Sequence, residues 1–168
     1  VKSFDNIEIR KYEKMIVAET KTSGIREDAI NQGFRMIADY IFGNNISSKN
    51  IKMTAPVIQQ SEKVAMTAPV MQHSYKDKWL IQFVMPAEYT LKTLPKPVSP
   101  DVLLKEIPEK TFVVIRFSGR VTDENLGKQN QNLRIFIKDK KLKTNGNAIF
   151  AFYNPPWTLP FLKRNEIM

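Results

Sequence analysis

The chain has no cysteine, which removes disulfides, zinc–thiolate sites, thiol nucleophiles and covalent haem attachment through CxxCH in one step. Histidine is almost missing as well: His73 is the only one in 168 residues. A Ser-His-Asp set would have to be built on it, and no GxSxG elbow accompanies it. His73 stands in the polar run QHSYKDK, which reads as an exposed loop with neither the pocket nor the orienting partner that a ligand or base needs. Neither GxGxxG nor the P-loop pattern occurs, so nothing cradles a nucleotide phosphate. Carboxylates are few and mostly lie beside lysines, as at Glu106–Lys110 and Asp139–Lys140, so no oxygen-ligand metal site is expected. No apolar run approaches the ~20 residues of a membrane-spanning helix. Together these absences point away from an enzyme.

What the chain does have is positive charge, 26 Lys+Arg against 17 Asp+Glu for a net +9. Such a balance favours acidic partners in general. The basic residues are spread out, apart from Lys138, Lys140, Lys141 and Lys143, and no nucleic-acid-binding motif goes with them. The expectation is a solvated surface on a soluble monomer, with no nucleic-acid partner. One domain over residues 1–168 suits the length, and 42% hydrophobic residues supply a sizeable core. The first residue is Val1, so cytoplasmic residence and export after loss of a leader both stay open.

The most conspicuous pattern is a doublet, IKMTAPV at Ile51–Val57 and VAMTAPV at Val64–Val70, joined by a polar spacer. Apolar residues alternate in each copy, which reads as two half-buried strands of a hairpin that end or bulge at Pro56 and Pro69. Upstream, Asn6–Thr22 reads as two short strands or one long bent strand broken near Glu13-Lys14. From Arg26 to Phe42 the period changes. Ala29, Ile30, Gly33, Phe34, Ile37, Ala38 and Ile41 form one helical stripe. Gly33, in mid-stripe, is expected to let another backbone or a flat ligand approach. Gly43-Asn44-Asn45 stops the helix. Trp79–Met85 reads as a strong strand ended by Pro86, and Leu94–Pro100, with three prolines, as an extended surface link.

Val102–Gly119 can then be laid on Ile7–Gly24 without a gap at an offset of 95. Ile7 meets Val102, Ile9 meets Leu104, Arg10 meets Lys105 and Ser23-Gly24 meets Ser118-Gly119. A second helix over about Asp123–Leu142 and a strand at Ala148–Tyr153 complete the parallel. The fold expected is therefore α+β: a twisted antiparallel β-barrel-like sheet with two helices. It would be built from a duplicated β-β-α-β unit, halves about 6–93 and 101–168, with pseudo-twofold symmetry and a groove at the seam. Among seven methionines, Met36, Met53, Met66 and Met85 are suited to lining an adaptable apolar pocket, with core packing as the plainer alternative.

These motifs, in this order, resemble the SOUL family of haem-binding proteins. The matching stretches are IEIRKY, YIFGNN (Tyr40–Asn45), KMTAPV…AMTAPV, VMPAEYT (Val84–Thr90), LPKPVSPDV (Leu94–Val102), FSGR (Phe117–Arg120) and YNPPWTLPFLKRNEI (Tyr153–Ile167). The resemblance implies non-covalent binding of haem or a related tetrapyrrole, without an obligate axial ligand, in an apolar groove flanked by the first helix. Carried onto this chain, Phe34, Ile37, Ala38 and Ile41 would line it, faced by Met85. A basic residue that would meet a propionate from the first helix is replaced by Asn31, a second by Thr158, and a groove methionine by Ala38. Lys163 and Arg164 remain as cationic partners for propionates. The same architecture resembles effector-binding domains of bacterial transcription regulators, which makes a non-haem small-molecule sensor or carrier the alternative.

Overall fold

The computed structural model describes residues 2–47, 64, 70–75, 78–154 and 157–168. In chain order the strands are β1 Lys2–Phe4, β2 Ile7–Tyr12, β3 Met15–Thr22, β4 Asn45–Ile46, β5 Val70–Tyr75 and β6 Lys78–Val84. They continue with β7 Lys96–Pro97, β8 Leu103–Ile107, β9 Lys110–Phe117, β10 Phe150–Phe152 and β11 Asn165–Ile167. Helix α1 is Arg26–Phe42 and α2 is Asp123–Asp139, and a 3-10 turn covers Pro160–Leu162. The fold class is α+β, and all the pairings described below are antiparallel. Apart from Val64 and Val70, the MTAPV doublet lies outside the described residues.

The chain forms two compact units that interleave along the sequence. Unit 1 takes Val1–Lys14, Ala68–His73 and Pro108–Met168, and unit 2 takes Met15–Thr67 and Ser74–Ile107. Two of the crossings fall at Lys14/Met15 and at Ile107/Pro108, between β2 and β3 and between β8 and β9. Consequently β2 does not pair with β3. It pairs with β9, Ile7 opposite Ile115, while β3 pairs with β8, Val17 opposite Lys105. Each unit thus joins a strand from the first part of the chain to one from beyond residue 100. The spacing seen in the sequence persists in the elements: β3 and β9 are eight residues each and start at Met15 and Lys110, 95 positions apart. Gly24 and Gly119, also 95 apart, hold φ of 108° and 109°, a conformation that glycine enters without strain.

In unit 1 the strand order is β1-β2-β9-β11-β10-β5. The register sets Ile7, Ile115 and Ile167 side by side on one face, and Leu133 of α2 closes on them to make a core cluster. Phe117, Phe136, Ile137 and Phe150 pack around it. Alternation of period two on the strands and a 3.6-residue stripe on α2 bring these residues to one layer. Thr122 caps α2 by accepting the Asn125 backbone N–H at 3.2 Å, with Asp123 and Glu124 in the first turn, where the helix dipole favours them.

Unit 2 has β6-β3-β8 covered by α1, and β4 bridging β7. Ala18, Ile81 and Phe83 of the strands and Ile37 and Ile41 of the helix have no exposure at all. Burying each of the two helix isoleucines contributes about 1.5–3 kcal/mol. Three expectations change here. Leu94–Pro100 is not a surface link, because Leu94 is fully buried, the Pro95 carbonyl accepts the Tyr40 hydroxyl at 2.9 Å, and Lys96-Pro97 is a strand. His73 belongs to β5, not to a loop. At Gly33 the close approach is made by a side chain: a Cβ there would stand 2.8 Å from Ile81 Cδ1 and 2.9 Å from Cγ1, so the glycine seats that isoleucine.

Candidate functional site on helix α1

Helix α1 carries two different surfaces. Ala29, Gly33, Ile37, Tyr40 and Ile41 are buried and face the even-numbered side of β3, where the Thr22 hydroxyl donates to the Ala29 carbonyl at 2.8 Å. Four of the predicted groove residues therefore sit in the core: Ile37 and Ile41 are fully buried, Met85 and Ala38 nearly so. The Met85 backbone N–H is spent on the Ile16 carbonyl at 2.8 Å. Phe34 is different. It is 36% exposed while its ring leans on Phe83 of β6, centroids 5.2 Å apart and planes at 59°. Its inner edge is held by packing and its outer face is open.

The helical pitch places Asn31 and Ala38 next to Phe34, with Phe42 at the end of that flank, and sets Arg35 one turn beyond Asn31. Asp28, Asn31, Gln32, Arg35 and Met36 line a shallow depression of about 430 Å³. Met36 is anchored from the side, its sulfur 3.9 Å from the Thr20 hydroxyl. The exposed side of the helix thus offers the outer face of Phe34 and, across Asn31, an exposed guanidinium at Arg35. That set can cover one side of a planar apolar ring and pair with a carboxylate at its rim. Arg35 was missed by the sequence reading. The signal was there in its i,i+4 spacing from Asn31, the position already marked for a cation.

The other predicted cations, Lys163 and Arg164, lie in unit 1, and Arg164 belongs to a different polar centre. Glu166 of β11 has no exposure. Arg10 Nη1 donates to both of its oxygens, at 2.9 and 3.0 Å. Arg164 donates from Nη2 at 2.7 Å and Nε at 3.0 Å, and the Tyr153 hydroxyl donates at 2.8 Å. Arg164 also lies over the Tyr153 ring, 4.3 Å from its centroid. Arg10 Nε is bound by Glu8 at 2.6 Å, and that hydrogen bond holds the Glu8 carboxyl below the usual carboxylate range. Burial, then the charge of Glu166, pushes the Tyr153 hydroxyl well above the ordinary tyrosine value. The Arg164 guanidinium is thus already committed to Glu166. This centre uses its charges internally, as a buried carboxylate requires. In unit 2 a lesser version exists: Glu19, nearly buried, accepts from Gln82 at 2.8 Å with Lys105 at 4.0 Å.

Among the described residues no group of three or more His, Cys, Asp or Glu is placed to hold a metal ion, and no helix is long and apolar enough to cross a membrane.

Against known proteins, the SOUL heme-binding protein family matches residues 1–168, the whole chain. No curated protein matches. Solved structures share the architecture at low identity. The EcmrR C-terminal domain superposes with a TM-score of 0.64 at 13% identity, over 96% of this chain and 93% of that one. A hydrolase from Listeria innocua gives 0.62 at 11%, over 96% and 89%. SAV2435, solved bound to tetraphenylphosphonium, gives 0.52 at 12%, over 96% and 90%. At such identities the likeness is one of fold.

Proposed function

The chain belongs to the SOUL heme-binding protein family, and from that premise we propose that it holds haem or a related tetrapyrrole non-covalently against the Phe34 flank of α1. It acts as a monomeric carrier, buffer or sensor, not as a catalyst or a nucleic-acid binder. The observation that carries this reading is the half-open Phe34 ring, braced on Phe83 with the exposed Asn31 beside it and Arg35 one turn further on. The residues fit the group as an open seat. Phe34 would meet one ring face, and Arg35 would meet a propionate. When bound, haem supplies its redox-active iron and its visible absorbance. Apolar contact at roughly 25 cal/mol per Å² drives binding, and the entropy of association takes much of it back. A modest affinity follows, without the tightening that a protein ligand to iron would add.

The test is a haemin titration of the full chain, followed at the Soret band. A saturable one-to-one change is expected, weakened at least ~10-fold by Phe34→Asp, which puts a charge where the ring face must be desolvated. A band that never saturates, or that responds identically in the variant, overturns the reading.

A second reading rests on the depression on α1, whose Asp28, Asn31, Gln32 and Arg35 lining is more polar than a porphyrin face needs. It suits a smaller amphipathic ligand, in a sensor or carrier built on the fold of the effector-binding domains. Thermal shift across a panel of aromatic acids and aromatic cations separates the two: stabilisation by one of these with none by haemin selects the second.

A further inference from the structure

One surface feature of unit 1 has no part in the proposed site. Between Asn154 and Arg164 the chain makes a loop whose base is tied twice: the Arg164 backbone N–H donates to Asn154 Oδ1 at 2.5 Å, and that of Tyr153 donates to the Arg164 carbonyl at 3.3 Å. Its tip is braced by Gly119, whose N–H donates to the Pro160 carbonyl at 2.8 Å. A 3-10 turn, Pro160–Leu162, is closed by Leu162 and Lys163 N–H groups on the Leu159 and Pro160 carbonyls at 2.9 and 3.1 Å. The backbone from Leu159 to Arg164 is therefore held by these bonds, yet the large apolar side chains here are exposed. Trp157 is 84% exposed, Phe161 69%, Leu162 62% and Leu159 55%. Four such residues within six positions form a contiguous apolar surface, which a protein that meets only water seldom displays.

The surroundings decide what covers it. Arg120 stands beside Gly119 on the bracing turn and is exposed; Lys163 and Arg164 close the loop on the other side. The acidic neighbours Asp123 and Glu124 occupy the first turn of α2. A second copy of this chain would bring the same basic rim, and the same net +9, against its like. A surface of negative charge with an apolar interior reverses that repulsion. Trp and Phe prefer the boundary between headgroups and acyl chains, and Lys and Arg reach the phosphates from its edge. We infer that the Trp157–Leu162 loop docks the protein on the headgroup region of an anionic lipid bilayer, inserting Trp157, Leu159, Phe161 and Leu162 while Arg120 and Lys163 meet lipid phosphates. The protein is anchored to the surface and does not span it.

Vesicle sedimentation of the full chain, without haemin, tests this. Binding is expected to phosphatidylcholine–phosphatidylglycerol vesicles, and much less to pure phosphatidylcholine, falling as salt is raised. In a Trp79→Phe chain the remaining Trp157 emission should shift to the blue on binding and be quenched by brominated lipid. Replacing Leu159 and Phe161 together with Glu should weaken binding by roughly 30-fold or more, with the Soret titration and thermal unfolding unchanged. Binding unaltered in that double variant, or no sedimentation with either vesicle, overturns the inference. So does concentration-dependent self-association that the double variant abolishes, which would give the surface to a second copy. Should the double variant misfold, brominated-lipid quenching of Trp157 in the Trp79→Phe chain decides alone: unquenched emission refutes docking. Because haemin is absent, this outcome is independent of the tetrapyrrole reading.

Discussion

Arg10 and Glu166 stand 156 positions apart in the chain, and a single nitrogen of Arg10 bonds both carboxylate oxygens of Glu166 at 2.9 and 3.0 Å. The contact reaches across β9, which lies between β2 and β11 in the strand order, so it fastens the first part of the chain to the last. Glu166 is wholly buried, and a buried carboxylate stripped of a partner is costly. Arg10→Met should therefore destabilise the protein by about 3 kcal/mol, the low end of the range because Arg164 and Tyr153 still bond Glu166. Urea unfolding measures this. The same variant should return the Glu8 carboxyl from its lowered titration toward the ordinary carboxylate range, read by NMR of the side-chain carbon. A Glu8 unmoved by the substitution would show that Arg10 is not what holds it down.

Tyr153 gives a pH signature. Its hydroxyl titrates above the ordinary tyrosine value in the folded state, chiefly through burial and then through Glu166. The unfolded chain loses that proton near pH ~10, whereas the folded chain keeps it. Stability from this group is thus fully present below ~10 and declines as pH rises from there toward the folded value. Unfolding midpoints measured from pH 8 to 11 should fall in the alkaline arm for the native chain, and more shallowly for Tyr153→Phe. At neutral pH the variant should cost about 1 kcal/mol for the lost hydrogen bond. Equal alkaline slopes would refute the assignment.

The strongest local signals were legible. The stripe from Ala29 to Ile41 and the Gly43 stop predict Arg26–Phe42, and the helix has those bounds. The break at Glu13-Lys14 separates β2 from β3. Partners were not legible. Adjacent strands such as β2 and β3 invite a hairpin reading, but which strands pair depends on contacts a hundred residues away, with no local periodicity to report them. β1, β10 and β11 are three residues each, too short to show alternation. A Glu within β11 also reads as exposed until Arg10 is brought to it. The site suffered the same way: one stripe on α1 holds both core residues, Ile37 and Ile41, and the open flank at Phe34, and only the packing of Phe83 and Ile81 tells them apart.

Gly33 tests that packing. An alanine methyl at this position would stand 2.9 Å from Ile81 Cγ1 and 3.2 Å from its Cβ, so Gly33→Ala forces the β6 isoleucine, and not merely its tip, to move. Overpacking of this kind costs about 1–3 kcal/mol, and the better helix propensity of alanine returns up to ~1 kcal/mol. A net loss of about 1–2 kcal/mol is expected by thermal or urea unfolding. Pairing the change with Ile81→Val, which withdraws the clashing Cδ1, should recover part of it in a double-mutant cycle. Additive losses would mean the two residues do not meet.

Asn31 offers a gain-of-function test of the α1 flank. It is exposed, one helical turn before Arg35, and lines the same depression. An arginine there would set two guanidinium groups at i,i+4, the nearer one a turn from Phe34, spaced to meet the two carboxylates of a porphyrin or to share one. An exposed charge pair is worth up to ~1 kcal/mol, so Asn31→Arg should tighten haemin binding about fivefold at low salt, with the gain shrinking as ionic strength rises. The paired control is Arg35→Ala, which should loosen binding by a similar factor. Tightening that survives high salt would point to altered packing instead of charge, and no change in either variant would remove the flank from the binding surface.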